Sequence, residues 1–175
     1  MVKLALPLAA LAMAATVAAA PAPGTSGTTF SFQQWVEDLI ANPETALSAD
    51  EAIEAAKAAD VVGSAGGLQK RVWCDNTDIR ANGRDAARCV EYLARIGQQG
   101  STCLVRSSTT EMCRDGNARI VGSKAVSSDQ SANCNDIART AGIIFDNCWR
   151  ADDTINGAEI CITNRNIQVN IAGVA

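Results

Sequence analysis

The sequence contains no histidine, and this absence excludes several classes of catalytic and metal-binding site. Without histidine there is no Ser-His-Asp or Cys-His nucleophile system, no histidine-ligated zinc or haem, and no histidine acid/base pair. Aromatic residues make up only 4% of the chain. The formal net charge of −4 argues against a dedicated nucleic-acid-binding protein, so we expect no nucleic-acid partner.

Hydrophobic residues make up 47% of the 175 residues, which is too many for a disordered chain and enough for one domain. The first 20 residues have the features of a secretion signal. Lys3 gives a positive start, an apolar run broken only by Pro7 follows, and Ala18-Ala19-Ala20 offers small residues for cleavage. A membrane anchor is the alternative, but a span needs about 20 apolar residues and this run is shorter. We therefore predict a signal peptide over residues 1–20 and a secreted, extracellular protein.

Residues 21–71 contain no cysteine and carry seven acidic residues against three basic ones. Ser31 with Gln34, and Ser48 with Glu51, have the spacing of capping boxes at the starts of two helices. The sequence therefore predicts an acidic, helical segment in this part of the chain.

The helical segment ends at a dibasic pair, Lys70-Arg71, which follows a Gly- and Ser-rich stretch. In a secreted protein such a pair is typical of the sites cut by kexin-type proteases, and processing segments do not belong to the mature fold. We predict that residues 21–71 are a propeptide, with Lys70 and Arg71 as the processing site and a kexin-type protease as a partner. In the alternative, residues 30–60 remain as a helical pair docked on the rest of the protein.

All seven cysteines lie in the predicted mature piece, residues 72–175. Because the chain has no Cys-x-x-Cys pair and no histidine, we expect no metal site and no cofactor. In a secreted piece of this size the cysteines predict disulfides, and the odd number leaves at least one free thiol. The disulfide candidates are Cys74, Cys89, Cys103, Cys113, Cys134, Cys148 and Cys161.

Helical periodicity predicts two helices in the mature piece. The first is capped by Asp85, ends at Gly97, and aligns Ala86, Cys89, Val90, Leu93 and Ile96 on one side. The second opens at Ser131 and shares one apolar face among Cys134, Ile137, Ala138, Ala141, Ile144, Phe145 and Cys148. Asn82-Gly83 and Asn156-Gly157 are interpreted as turns.

If Cys134 and Cys148 both lie on the second helix, 14 residues at a rise of about 1.5 Å separate them by roughly 21 Å. A disulfide needs Cα atoms within about 7 Å, so these two cysteines cannot pair with each other. We expect them to fix the two ends of the helix to the sheet.

Strands are predicted around Thr102–Arg106 and around 118–121, with an irregular stretch between them. Residues 158–163 and 167–171 alternate apolar and polar residues and predict a β-hairpin, and residues 72–74 predict a short leading strand.

Helices with one apolar side and strands with one apolar face bury each other in a two-layer α/β sandwich. We therefore predict an α+β fold with two helices packed on an antiparallel sheet of four to five strands, stabilised by disulfides. We expect Ile160 and Ile162 to face the helices, so that Cys161 points to the outer face as a bridged or free thiol.

Roughly 100 residues, from about Cys74 to Gly173, resemble the secreted fungal necrosis-inducing effectors and the smut-fungus viral killer toxins. The resemblance is carried by three stretches: Asp85-Ala-Ala-Arg-Cys89, the Asn135-Asp-Ile-Ala-Arg139 helix that leads to Cys148, and Asn166-x-x-Val169-x-Ile171-x-Gly173. It implies a fungal, non-enzymatic protein that acts on other cells through membranes or channels. It implies no functional residue for this chain.

Arg84, Arg88 and Arg95 lie along one side of the first predicted mature helix. Because arginine binds phosphate and carboxylate groups through two hydrogen bonds, this side is a candidate contact face for an anionic membrane or a channel mouth. In the alternative it is an ordinary solvated face with i,i+4 ion pairs, such as Glu91 with Arg95.

An enzyme is the competing class, because paired carboxylates hydrolyse glycosides without histidine. No motif places two carboxylates at a working distance, so we predict no catalytic residue. The candidates for such a pair are Glu91, Glu111, Glu159, Asp152 and Asp153. We predict a secreted cysteine-rich effector or toxin-like protein that binds an unknown protein or membrane target on another cell. A small secreted hydrolase is the alternative.

Overall fold

The computed structural model describes residues 30–60, 72–74 and 79–174. The predicted signal peptide and the Lys70-Arg71 pair lie outside these residues. The helices are α1 (Phe32–Ala41), α2 (Ala49–Ala58), α3 (Gly83–Gln98) and α4 (Cys134–Cys148). The strands are β1 (Trp73–Cys74), β2 (Ala81–Asn82), β3 (Thr102–Val105), β4 (Thr109–Asp115), β5 (Ala118–Ser123), β6 (Gln130–Asn133), β7 (Thr154–Ile155), β8 (Gly157–Ile160) and β9 (Gln168–Gly173). None of the helices in the described ranges has the length and apolar character to cross a bilayer.

The main sheet has five antiparallel strands in the order β1-β8-β9-β5-β4. The predicted hairpin is its centre, with Gly157 opposite Ile171 and Ile160 opposite Gln168. Two short antiparallel ribbons, β2 with β7 and β3 with β6, lie beside this sheet. The predicted α+β class, with an antiparallel sheet of four to five strands, is confirmed.

Helices α3 and α4 cover one face of the sheet, as predicted. Ile120, Val169 and Ile171 are fully buried in the three central positions of that face. The predicted apolar side of α4 is buried along its whole length, and so is that of α3 except for the partly buried Ile96. This interface is the hydrophobic core of the cysteine-rich part of the chain.

Three disulfides tie the helices to the strands around them. Cys74 of β1 joins Cys148 at the end of α4, and Cys103 of β3 joins Cys134 at its start. The third, between Cys89 and Cys113, joins α3 to the edge strand β4. The prediction that Cys134 and Cys148 do not pair is confirmed. Cys148 fixes the end of α4 to the main sheet as predicted, whereas Cys134 fixes its start to the β3–β6 ribbon. Cys161 is the remaining thiol, and it is buried.

Helices α1 and α2 form a third layer on the side of α3 and α4 that faces away from the sheet. Helix α1 packs mainly on α4, and α2 packs on α3. Ser31 caps α1, and Ser48 with Glu51 forms the predicted capping box of α2. Within residues 30–60, the predicted helical pair is therefore present and docked on the cysteine-rich part.

The predicted helix boundaries are wrong by a few residues for identifiable reasons. Asn82, not Asp85, caps α3, because its side-chain oxygen accepts from the backbone of the first turn. Gly97 does not end α3 but lies inside it, where a Cβ would collide with Asn135. The left-handed residue after the helix is Gly100, with φ of 87°. Asn133, not Ser131, caps α4, because residues 130–133 are paired with β3.

Three segments interpreted as irregular or as turns are regular structure. Asn82 ends β2 and Gly83 begins α3, so this pair is not a turn. The stretch before Asp115-Gly116 is strand β4, whose pairing with β5 shifts between Glu111 and Cys113 and so breaks the alternation that indicates a strand. Asn156 is fully buried and Gly157 begins β8, so this pair is not a turn.

The predicted direction of Cys161 is wrong. Gly157 faces α4, because a Cβ there would lie 2.8 Å from the sulfur of Cys148. Since side chains alternate along a strand, Glu159 and Cys161 then also face the helices, and both are buried. Ile162 is 47% exposed instead. The free-thiol alternative for Cys161 is correct, but the thiol lies inside the protein.

We predict that intact-mass measurement finds one free thiol in the purified protein, and that this thiol resists alkylation until the chain is denatured. The physical reason is that Cys161 is only 1% exposed. Peptide mapping should then find the alkylated residue to be Cys161 and the bridges to be 74–148, 89–113 and 103–134. A bridge between Cys134 and Cys148, or rapid alkylation of the folded protein, would contradict this structure.

Candidate functional site

The predicted arginines of α3 lie on the face covered by α2. Arg84 binds Asp50 at 3.0 Å and also Glu54, both on α2. Arg88 binds Asp115 at 2.8 Å and approaches Asp50 at 3.5 Å. The hydrogen bonds that Arg84 donates to Glu54 and then Asp50 raise its pKa, and the bond that Arg88 donates to Asp115 raises the pKa of Arg88. Both guanidinium groups are therefore held by carboxylates, and α2 supplies two of them.

Arg95, the third predicted arginine, binds the loop between α1 and α2. It donates to Glu91 one turn earlier on α3 at 2.7 Å and to the carbonyl of Pro43 at 3.2 Å. Glu91 uses its second oxygen to accept from the backbone N–H of Ala49, the first residue of α2, at 2.8 Å. The i,i+4 ion pair of Glu91 with Arg95, which we expected if this side of α3 were an ordinary solvated face, does form. Through Glu91, the pair also contacts α2.

Helix α4 supplies a fourth arginine that the sequence did not indicate. Arg139 binds Glu37 of α1 through two parallel bonds of 2.8 and 3.0 Å, and it also binds Asp136 at 3.0 Å. The hydrogen bond with Glu37 raises the pKa of Arg139. A two-bond arginine–carboxylate pair fixes orientation as well as contact, so Arg139 determines how α1 lies on α4.

A carboxylate of α4 receives the start of α1. Asp146 accepts from the backbone N–H groups of Phe32 and Gln33 at 2.6 and 3.0 Å, and from the hydroxyl of Ser31 at 2.7 Å. The N-terminus of a helix has unpaired N–H donors and a partial positive charge, so a carboxylate is a favourable partner there. Both α1 and α2 therefore begin on a carboxylate of the cysteine-rich part, Asp146 for α1 and Glu91 for α2.

Close apolar packing completes the contact of α1 with α4. The ring centroids of Phe32 and Phe145 are 4.5 Å apart, and Trp149 meets Phe32 edge to face at 5.4 Å. Gly142 lets the backbones approach, since a Cβ there would be 3.1 Å from the carbonyl oxygen of Phe32. Burying a side chain such as Phe32 stabilises by about 1.5–3 kcal/mol, whereas a partly exposed ion pair contributes about 1 kcal/mol or less.

We call α1 and α2 the helix pair, and we call the side of α3 and α4 beneath it the docking face. The docking face combines four arginines, two carboxylates that meet helix N-termini, and an apolar floor. Its residues are Arg84, Arg88, Glu91 and Arg95 of α3 and Arg139, Gly142, Phe145 and Asp146 of α4.

The sequence indicated only part of this face. Ala87 and Ala94 lie outside the apolar side predicted for α3, yet both are fully buried. Small alanines do not mark a second apolar side, and Asp146 resembles any polar residue of an amphipathic helix. The available signal was the combination of an acidic helical segment with an arginine row on the helix that follows it.

The carboxylates considered for hydrolysis have partners within the fold. Glu111 binds Arg114, Asp153 binds Lys57 and Trp149, Asp152 accepts from Thr154, and buried Glu159 accepts from the N–H of Ile160. The hydrogen bond from Arg114 lowers the pKa of Glu111, and those from Thr154 lower the pKa of Asp152. With Glu91 held by Arg95 and α2, these five groups stand in separate contacts.

A groove of about 850 Å³ beside α1 contains two other carboxylates, Glu37 and Asp38. Consecutive residues of a helix point about 100° apart, so these two groups do not face each other across the groove. Both oxygens of Glu37 are also bound to Arg139. The groove therefore has carboxylates but not the opposed pair that glycoside hydrolysis uses.

Burial raises the pKa of Asp146, while the hydrogen bonds from Ser31, Gln33 and Phe32 oppose that rise. Above the ordinary pKa of about 4, the folded chain therefore holds this proton more tightly than the unfolded chain, so the stability that the group contributes falls as pH rises. We predict that the free energy of unfolding of the wild type, minus that of Asp146→Asn, decreases through this window and then levels. Urea titrations at a series of pH values measure it.

Asp146→Ala is the control for this titration. It also cannot ionise, but it leaves two backbone N–H groups of α1 without their acceptor, which costs about 1–3 kcal/mol. The free energy of unfolding of the wild type, minus that of Asp146→Ala, should show the same pH dependence as the difference from Asp146→Asn, but it should be larger at every pH. A wild-type advantage that grows with pH would contradict the prediction, because it would mean that the N-terminus of α1 dominates over burial.

The comparisons with known proteins concern the cysteine-rich part. Residues 69–173, more than half of the chain, match the family model described as "Domain of unknown function (DUF8794)". The matched range includes α3, α4 and the main sheet, and it does not include α1 or α2. No curated protein and no solved structure matches the chain. The chain belongs to the DUF8794 family through its cysteine-rich part.

Proposed function

We propose that this protein is a secreted, cysteine-rich effector or killer-toxin-like protein that acts by binding a target outside the cell that makes it. The three disulfides support a protein that folds outside the cytosol, where such bridges persist. In this proposal residues 21–71 are a propeptide, and a protease cuts the peptide bond that follows Lys70-Arg71. The docking face is the surface that binds the target.

The observation that carries the proposal is that the docking face has the composition of a protein-recognition surface. It has an apolar centre with Phe145, partly buried arginines around it, and carboxylates at fixed positions. Buried aromatic residues and arginine are enriched among the residues that dominate protein–protein affinity. The part of the chain outside the family match covers this surface with acidic helices.

A protein target fits this surface better than a bare membrane does. An anionic membrane attracts clustered positive charge, but here Glu91 and Asp146 lie among the arginines and would oppose anionic headgroups. The same carboxylates favour the positive N-termini of helices. The docking face therefore has the charge pattern of a surface that binds helices.

The hydrolase alternative has one supporting observation, the groove beside α1 that contains Glu37 and Asp38. It would need both carboxylates to be available to substrate, and Glu37 is bound to Arg139. We therefore place binding first. The two classes differ in which substitutions abolish the biological effect.

The test compares four forms of the secreted protein after treatment with a kexin-type protease: wild type, Arg84→Gln/Arg88→Gln, Arg106→Gln/Arg165→Gln and Glu37→Gln/Asp38→Asn. The measurements are binding of the labelled protein to fungal and plant cells and the viability of those cells. Losing two arginines of the docking face should weaken binding about tenfold or more, since charge pairs at a buried interface contribute strongly.

The Arg106→Gln/Arg165→Gln control removes the same charge from exposed positions and should bind like the wild type. Equal loss in both arginine variants would show that total charge, not the docking face, determines binding. Binding to phosphatidylserine vesicles as strong as to cells would identify a membrane target. Release of soluble sugars from cell walls, lost only in Glu37→Gln/Asp38→Asn, would replace the proposal with the hydrolase alternative.

A further inference from the structure

We propose that the docking face is a helix-binding groove whose ligand class is an acidic amphipathic helix, and that the helix pair is its resident ligand. The inference rests on the proposed function and specifies its partner. Cleavage at Lys70-Arg71 does not by itself open the groove. The helix pair stays in place as a second chain until an acidic amphipathic helix of the target displaces it.

The helix pair is held by non-covalent contacts alone. Residues 21–71 contain no cysteine, so none of the disulfides joins this segment to the cysteine-rich part. The fully buried Phe32, Val36 and Leu39 of α1 and Ile53 of α2 would be exposed if the pair left. Cutting the chain at one peptide bond removes none of these contacts, which is why we expect the pair to remain bound.

The helix pair depends on the docking face for its own structure. Each helix has 10 residues, and isolated helices shorter than about 12–15 residues are marginal in water. The two helices pack on α4 and α3 far more than on each other. The pair therefore folds as it binds and unfolds as it leaves, which is the behaviour of a ligand segment rather than of an independent domain.

The polar contacts select a particular kind of helix. Asp146 and Glu91 each require a helix N-terminus at a fixed position, and Gly142 requires a helix backbone in close contact. The arginines require carboxylates on the exposed side of that helix, as Glu37 and Asp50 supply. One amphipathic helix with acidic residues on its polar side meets these requirements at one of the two N-terminal positions, and a pair of such helices meets them at both. A basic helix supplies no carboxylate to the arginines.

Cleavage changes the exchange of the pair rather than its contacts. While the chain is intact, a covalent link keeps the effective concentration of the pair at about millimolar, so a competing helix cannot replace it. After cleavage the pair and the competitor bind on equal terms. Processing would then allow the bound helix pair to be exchanged, and the target would displace it from the groove.

The experiment uses the secreted full-length protein, cut with a kexin-type protease, and a fluorescent synthetic peptide of residues 30–60 as the probe. Gel filtration and native mass spectrometry determine whether the two chains stay together after cleavage. Fluorescence anisotropy then measures whether the probe enters the cut protein and the uncut protein. We expect co-elution of the two chains, saturable entry of the probe after cleavage, and at least tenfold slower entry before it.

Two variant probes test the chemistry of the ligand. Glu37→Gln removes the carboxylate that accepts two hydrogen bonds from Arg139, so this probe should bind the cut protein several-fold more weakly than the unmodified peptide. Glu44→Gln removes the same charge from the exposed loop between α1 and α2 and should compete like the unmodified peptide. A scrambled peptide of the same composition should not enter.

Each other outcome overturns a stated part of the argument. If the helix pair leaves on cleavage and the probe does not bind, the groove is not a helix site and this inference is wrong, while the proposed function does not depend on that result. If the probe enters only under conditions that unfold the protein, the pair is a permanent part of the core. If the protease leaves Lys70-Arg71 intact, the propeptide in the proposed function is wrong, whatever the affinity of the groove.

Discussion

The structure depends on α4 being fixed at both ends while it packs on two sides. Its first and last residues are half-cystines, bound to β3 and β1. One side of the helix lies on the sheet, and another receives α1 at Gly142 and Phe145. The disulfides add to the stability that this packing gives, since a native bridge in a small secreted domain contributes about 2–5 kcal/mol. They also keep α4 in position if the helix pair is exchanged.

The sequence was informative where a pattern had a single physical explanation. The length of α4 excluded a bridge between Cys134 and Cys148, because no helix brings its own ends together. The Ser-x-x-Gln/Glu spacings located the starts of α1 and α2, because a serine at that spacing before a Gln or Glu is typical of a helix N-terminus. These predictions rest on geometry within one element, and the structure confirms them.

The wrong predictions arose where two elements compete for the same residue. The bulge near Glu111 hid β4, the pairing of residues 130–133 with β3 moved the start of α4, and Gly157 turned Cys161 inward by fixing which side of β8 faces α4. The docking face was missed for a related reason. A helix that is buried on two sides by small residues such as Ala87 looks, in sequence, like a helix buried on one side.

The family match and the charge pattern together support our proposal that the helix pair acts as a ligand of the docking face. The matched range 69–173 contains every cysteine and both helices of the docking face, and it leaves out α1 and α2. What the pair contributes is apolar cover and acidic side chains opposite arginines. Those are the properties that an external partner would have to reproduce in order to take its place.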